Sequence, residues 1–248
     1  TSRYGSPQDF MYLIDYLHQH DIGVYDDEVY AHFPKEDEAG LEMFDGTHLF
    51  SYDEAFEREL LKWGTSTFNY AKGEVRSFLV SNSIFWLEKY HIDGSRMDAV
   101  AAMLYRDYER SDEEKRRIWD KYGTNHNDEA VRFIQQYNCV VHKEFPGILT
   151  IAEESSDWNG VTRSVEYGGL GFDRKWAMGF MHDILEYLKL DPIYRKYHQD
   201  KLTFYWSYAL SEKYMLAFSH DEVIQLKRSE KEKMPGDEWQ QFANLRLR

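Results

Sequence analysis

The chain has 248 residues, with 30 Lys and Arg against 44 Asp and Glu, a formal charge of −14. That length suits one large α/β core, and the acidic balance argues against nucleic acid and anionic membranes as partners while leaving a neutral polysaccharide open. No membrane span or charged-then-apolar leader is expected from the pattern, and the lone Cys139 excludes an intramolecular disulfide and fits a reducing compartment. Val140 and Val141 beside Cys139 predict a buried, inert thiol. Aromatic residues make up 17% of the chain, a stock read first as core, with the stacking of sugar rings as the functional alternative.

In chain order, Ser6-Pro7-Gln8-Asp9 reads as an N-cap, a proline at the first helical position and an acidic first turn. Phe10, Leu13, Ile14 and Leu17 continue it at helical spacing. Gly23 opens a strand through about Ala31. Residues 35–73 read as polar and irregular, with a short helix over 53–62. Val75, Phe78, Leu79, Phe85 and Trp86 mark a helix ending near Tyr90, and a strand bearing Arg96 and Asp98 follows. Residues 111–127 form a charged, loop-rich, solvent-facing excursion. Ala130, Phe133, Ile134, Tyr137, Val140 and Val141 make the next amphipathic helix, which Pro146-Gly147 turns into a strand ending at Glu153. A short strand is expected over Gly168–Phe172. A helix over 176–190 stops at Asp191-Pro192, a strand leads to His220-Asp221, and a last helix starts near Asp237. Strands alternating with helices imply a parallel sheet, with long loops on its C-terminal rim, where barrel enzymes bind substrate.

Three apolar runs end in acids: Ile92 to Asp98, Ile148-Leu149-Thr150-Ile151-Ala152-Glu153-Glu154, and Tyr214 to Glu222 through Ser219-His220-Asp221. On a strand, residues two apart share a face, so Arg96 and Asp98 fall together and the cation favours an ionised carboxylate. The residues alone also allow plainer readings: a structural ion pair, a solvated strand exit at Glu153-Glu154, and a turn at His220-Asp221. His126 lacks the spacing of a metal ligand, and no metal is expected.

Arg-x-Asp-Ala-Val at 96–100, Thr-Ile-Ala-Glu-Glu-Ser at 150–155 and Ser-His-Asp-Glu-Val at 219–223 resemble three signature regions of the α-amylase superfamily. Further blocks are similar to the 1,4-α-glucan (glycogen) branching enzymes: Arg3-Tyr4-Gly5-Ser6-Pro7, Ala31-His32-Phe33-Pro34, Phe44-Asp45-Gly46-Thr47, Phe68-Asn69-Tyr70, Gly168–Phe172, Lys189-Leu190-Asp191-Pro192 and Met234-Pro235-Gly236-Asp237. They run in order from about residue 2 to about residue 245. The resemblance implies an α/β fold, a partial (β/α)8 barrel holding about strands 3 to 7 with their helices, as a single partial catalytic domain over residues 1–248 without the flanking all-β domains. It implies cleavage of an α-1,4 linkage and transfer to a 6-hydroxyl by a retaining double displacement. Asp98 would be the nucleophile, Glu153 the acid/base and Asp221 the third carboxylate. Asp27, His32, Arg96 and His220 would bind substrate. The implied partner is an α-glucan (glycogen, amylose or starch), with no cofactor, in the cytoplasm. An open sheet edge is expected to favour self-association. An α-glucan hydrolase and a non-catalytic glucan-binding remnant stay open as alternatives.

The chain departs from the family at several points. Where the family has an apolar strand ending in Asp, this sequence has Tyr25-Asp26-Asp27-Glu28-Val29-Tyr30. Ser95 stands where an apolar residue is usual, and Gln225-Leu226 replaces a customary His-Gly. Unpaired carboxylates pressed against helices would be costly, so Asp26 and Glu28 are expected in solvent, and Asp27 is expected to be less well ordered than Asp98. Asp98, Glu153 and Asp221 are expected to converge, with the first two carboxyl groups about 5–6 Å apart. Asp98 is expected to titrate low beside Arg96, and Glu153 high beside the other carboxylates.

Overall fold

A computed structural model describes residues 3–35, 40–223 and 229–246. The Gln225-Leu226 departure lies outside the described residues. The chain divides into two compact units, residues 1–173 and 174–248.

The first unit opens with α1 (Pro7–His18), which starts where the cap signal places it: Ser6 Oγ accepts the Asp9 amide, and the Asp9 carboxylate accepts the Ser6 amide. β1 (Tyr25–Glu28) follows. The stretch read as irregular, together with the three residues before it, holds a small antiparallel sheet instead. It is built from β2 (His32–Pro34), β3 (Glu59–Leu60, directly after the single-turn α2, Ala55–Arg58) and β4 (Thr65–Thr67), in the order β2-β4-β3. These strands are too short for a periodic signal, but they bury Phe33, Leu60 and the adjoining Phe68.

α3 (Gly73–Tyr90) leads to β5 (Gly94–Met97), and α4 (Val100–Leu104), α5 (Asp112–Tyr122) and α6 (Asp128–Glu144) lead to β6 (Leu149–Ala152). β1, β5 and β6 pair in parallel, β5 between the other two, with Asp27 beside Arg96 and Arg96 beside Ile151. β5 is buried along its whole length. A Cβ on Gly94 would lie 2.0 Å from the Leu149 carbonyl oxygen, so only glycine fits there. Leu79 of α3 and Phe133, Ile134, Tyr137 and Val141 of α6 pack with Met97 and Ala152 in the core.

Three local expectations are corrected. The charged 111–127 excursion contains α5, capped by Ser111 and Glu114, with acids at 112–114 in the first turn and Gly123 at positive φ closing it. Only Ile118 of that helix is buried, so few apolar residues mark its inner face. Gly168–Phe172 is not a strand: Gly168 and Gly171 have φ of 79° and 88°, and a 3-10 turn at Val165–Tyr167 precedes them. Cys139 is exposed, because the buried face of α6 runs through Phe133, Ile134, Tyr137, Asn138 and Val141, and position 139 points away from it.

At the N-terminal ends of the parallel strands one arrangement occurs twice. Asp93 accepts the Val24 amide (2.6 Å) and faces His18 Nε2 (3.0 Å). Asp173 accepts the Thr150 amide (2.9 Å) and faces His142 Nε2 (2.7 Å). In each, an aspartate leading into one strand holds the preceding strand and the last turn of the helix before that strand.

The second unit pairs β7 (Arg174–Trp176) and β8 (Tyr214–Met215) in parallel, Lys175 opposite Tyr214 and Trp176 opposite Met215. Between them run α7 (Met178–Lys189), α8 (Pro192–Arg195) and α9 (Asp200–Thr203). Asp191 accepts the Ile193 amide and Pro192 takes the first helical position of α8, which ends α7 where the sequence marks a stop. α10 (His220–Val223), α11 (Glu230–Lys233) and α12 (Glu238–Arg246) complete it. β5, β7 and β8 are each followed directly by a helix, the repeat of a (β/α) barrel, whereas β6 runs through a loop and the 3-10 turn at Val165–Tyr167. Among the described residues, no helix is long and apolar enough to cross a membrane.

Candidate active site

Arg96 leaves the buried β5 toward the C-terminal end of the first unit's sheet, and its side chain is 6% exposed. Its guanidinium touches three carboxylates. Nη1 meets Asp98 Oδ1 at 2.8 Å and also Asp27 Oδ1, while Nη2 meets Glu153 Oε2 at 2.9 Å. Asp98 and Glu153 are 19% and 15% exposed at their side chains, and Asp27 is 48% exposed.

Backbone bonds fix these carboxylates. The Asp98 amide donates to the Glu28 carbonyl (2.9 Å), and the Glu153 amide donates to the Met97 carbonyl (3.0 Å). The Val100 amide donates back to the Glu153 carbonyl (2.9 Å). Ala99, at φ 49°, turns the chain out of the strand and into α4. That left-handed turn points its amide at Glu153 Oε2, 3.0 Å away.

Burial raises the Glu153 carboxyl above the ordinary carboxylate range. Arg96 and the Ala99 amide pull it down, and Asp98 pushes it up again. Its elevation therefore comes first from burial rather than from neighbouring carboxylates. The cation it touches is the same one that holds Asp98.

Around this group lie side chains that the sequence did not single out. The Tyr108 hydroxyl is pushed up first by burial and then by the negative charge of Glu109, Glu153 and Glu154. Trp63 packs on Tyr108 (6.0 Å between ring centroids) and on the His32 ring (4.8 Å). Nothing but aromatic content could have flagged Trp63 or Tyr108. His32, on β2, is lowered by burial, and its Nδ1 is buried without a partner among the described residues. Glu154 is buried, and its carboxylate accepts the Ser156 amide (2.8 Å) and hydroxyl, bracing the loop after β6.

The acids flanking Asp27 correct the expectation of solvent exposure. Glu28 is 2% exposed and Asp26 is half-buried. Glu28 is accommodated because Tyr137, from α6, donates its hydroxyl to Glu28 Oε2 at 2.6 Å. The helices supply a donor, which the sequence argument had not provided for.

His220 and Asp221 belong to the second unit. They stand at the start of α10, a helical turn reached by a loop after β8, rather than at a strand end. His220 Nε2 lies 3.4 Å from Asp221 Oδ1, the Asp221 amide donates to Ser219 Oγ at 3.3 Å, and both side chains are more than half exposed. The first unit thus gathers Asp27, Arg96, Asp98 and Glu153 around one guanidinium, with His32 reached through Trp63 and Tyr108.

Residues 41–169 match the family model for the alpha amylase catalytic domain. The 1,4-alpha-glucan branching enzyme GlgB of Synechocystis is 54% identical over 246 residues, covering 99% of this chain and 32% of that protein. The GlgB of Rhodopirellula baltica is 51% identical over 247 residues, covering 100% and 33%. That of Albidiferax ferrireducens is 53% identical, covering 99% and 39%. The chain spans about a third of the length of these relatives. Among solved structures, an alpha-amylase from Lactobacillus plantarum matches with a TM-score of 0.55 at 17% identity, covering 87% of this chain and 45% of that one. The alpha-amylase of Geobacillus thermoleovorans, solved with acarbose, matches with a TM-score of 0.51 at 18% identity, covering 75% and 37%.

Proposed function

Since this chain belongs to the alpha-amylase family, we propose that its carboxylate cluster branches α-glucan by a retaining double displacement. In the first step Asp98 attacks the anomeric carbon, and Glu153 gives its proton to the departing 4-oxygen. A glycosyl–Asp98 ester forms. In the second step Glu153 takes the proton of an acceptor 6-hydroxyl, whose oxygen displaces Asp98 and forms the α-1,6 bond. Asp98 and Glu153 return to their starting states. Asp221 is assigned as the third carboxylate, binding sugar hydroxyls, with Asp27, His32, Arg96 and His220 as further substrate contacts. His32 Nδ1, buried without a partner among the described residues, suits a sugar hydroxyl.

The observation that carries this reading is the shared guanidinium. Arg96 is ion-paired with Asp98, as a nucleophile requires, and also touches Glu153, whose burial raises it as an acid requires. The 51–54% identity to branching enzymes supports transfer over hydrolysis. The proposed substrates are amylose, starch and glycogen, which places the chain in glycogen synthesis. A cytoplasmic location belongs to the same proposal and agrees with the single cysteine.

The test incubates amylose with the chain and follows iodine absorbance together with reducing ends. Branching moves the absorbance maximum of the iodine complex to shorter wavelength without new reducing ends, and Asp98→Asn and Glu153→Gln abolish the shift. New reducing ends would indicate hydrolysis, and no change in either readout would indicate a binding remnant.

A further inference from the structure

Glu28 is a buried titratable group to which the branching mechanism gives no part. Its side chain lies on the opposite face of β1 from Asp27 and accepts the Tyr137 hydroxyl at 2.6 Å. That hydroxyl also lies 2.6 Å from Ser95 Oγ on β5 and 3.1 Å from Ser83 Oγ on α3. A phenol has one proton, here given to Glu28, so both serines donate to Tyr137. One oxygen of α6 therefore ties β1, β5 and α3 together. Two of its partners, Glu28 and Ser95, are positions where the sequence carries a polar residue in place of an apolar one. The backbone of Glu28 faces the site, since its carbonyl accepts the Asp98 amide at 2.9 Å.

We propose that Tyr137 is a positioning residue for Asp98: by holding Glu28 and Ser95 at once it clamps β1 to β5 and fixes the carbonyl from which the Asp98 amide hangs. The catalytic consequence rests on the reading of Asp98 as nucleophile, whereas the clamp itself does not.

The groups facing Glu28 are Asp26 on its own strand, Tyr30 just beyond it, Tyr137 from α6, and Ser83 with the Tyr30-bound Asn82 from α3. No cation among the described residues pairs with it. Burial lifts the Glu28 carboxyl to about 7, the Tyr137 hydroxyl draws it down, and Asp26 pushes it up. The bond from Tyr137 consequently becomes charge-assisted, and stronger, as pH rises through neutrality. A passive packing contact would not change there.

The experiment follows the 13C resonance of the Asp98 carboxyl across neutral pH in the intact chain, assigned by its loss in Asp98→Asn. In the unaltered chain an inflection near pH 7 is expected. Glu28→Gln, whose amide still accepts from Tyr137, should lose it. Tyr137→Phe, which removes a hydroxyl that favours the anion, should move it upward. If Tyr137→Phe fails to fold, Ser95→Ala decides, with an upward move again expected. A flat Asp98 titration near neutrality in the unaltered chain, or an inflection near pH 7 that survives Glu28→Gln even when Glu153→Gln removes the other raised carboxyl beside Asp98, would overturn the proposal. An inflection in a chain without branching activity would leave the clamp standing and reject the functional reading instead.

Discussion

The amide of Ala99 donates to the Glu153 carboxylate at 3.0 Å, from a backbone held at φ 49°. An alanine in the left-handed region carries a cost of about 1–2 kcal/mol, and here the donor reaches Glu153 through that turn. Ala99→Gly relaxes the backbone and is expected to raise stability by at most about 1 kcal/mol. Ala99→Val, β-branched at the same φ, is expected to destabilise by more than that and to slow branching. Urea unfolding of the two variants, read beside their rates, checks this ordering.

Glu28 makes a pH-dependent contribution to stability whose sign follows from its direction of shift. The carboxyl rises from its ordinary 4.5 to about 7 on folding. Between those values the folded chain binds the extra proton, so stability falls as pH rises from about 4.5 through 7 and then levels. The loss attributable to this one group is ~3 kcal/mol. Glu28→Gln should flatten that slope, so its gain over the unaltered chain should be larger at alkaline than at acid pH. Thermal unfolding across that range measures it; an unchanged slope would refute the assignment.

Arg96→Leu leaves Asp98 and Glu153 buried without their cation. Breaking a buried ion pair from one side costs about 3–5 kcal/mol, and the half-exposed Asp27 adds little. The loss should be greatest at neutral pH and shrink in acid, where the carboxyls protonate. Branching should fall at least ~100-fold, the lower range for removing support of an acid–base group.

Gly94→Ala should prevent β5 from pairing with β6, since the new methyl would meet the Leu149 carbonyl at 2.0 Å. The expected cost is about 4 kcal/mol or more. The chain is then expected to fail to give the dispersed amide spectrum of a folded protein.

α1 and α6 were legible because their apolar residues repeat at helical spacing, with Ser6 and Asp9 capping the first, and the stop after α7 was marked by Asp191 and Pro192. Two acid-bearing strand ends, at Asp98 and Glu153, were legible from motif, and Arg96 with Asp98 from the two-residue period, whereas His220-Asp221 stands on a helical turn instead. α5 was hidden by its charge, with Ile118 its one buried side chain. The buried Glu28 was misread because its partner, Tyr137, lies 109 residues away, and no local pattern announces a donor at that distance. The same limit applies to Trp63 and Tyr108, whose place beside the site comes from tertiary packing of loops.

The tie at Arg96 also sets the electrical character of the cluster. Three carboxylates surround one guanidinium, so the cluster remains net negative even with Glu153 protonated. With Arg96 almost wholly enclosed, dissolved ions screen this potential poorly. Amines shaped like a sugar ring, which mimic the cationic oxocarbenium stage of glycoside transfer, are therefore expected to collect there, while anionic sugars such as glucuronates are turned away. Their affinity should rise with pH as Glu153 gives up its proton, so the pH dependence of such an inhibitor becomes a voltmeter for the site.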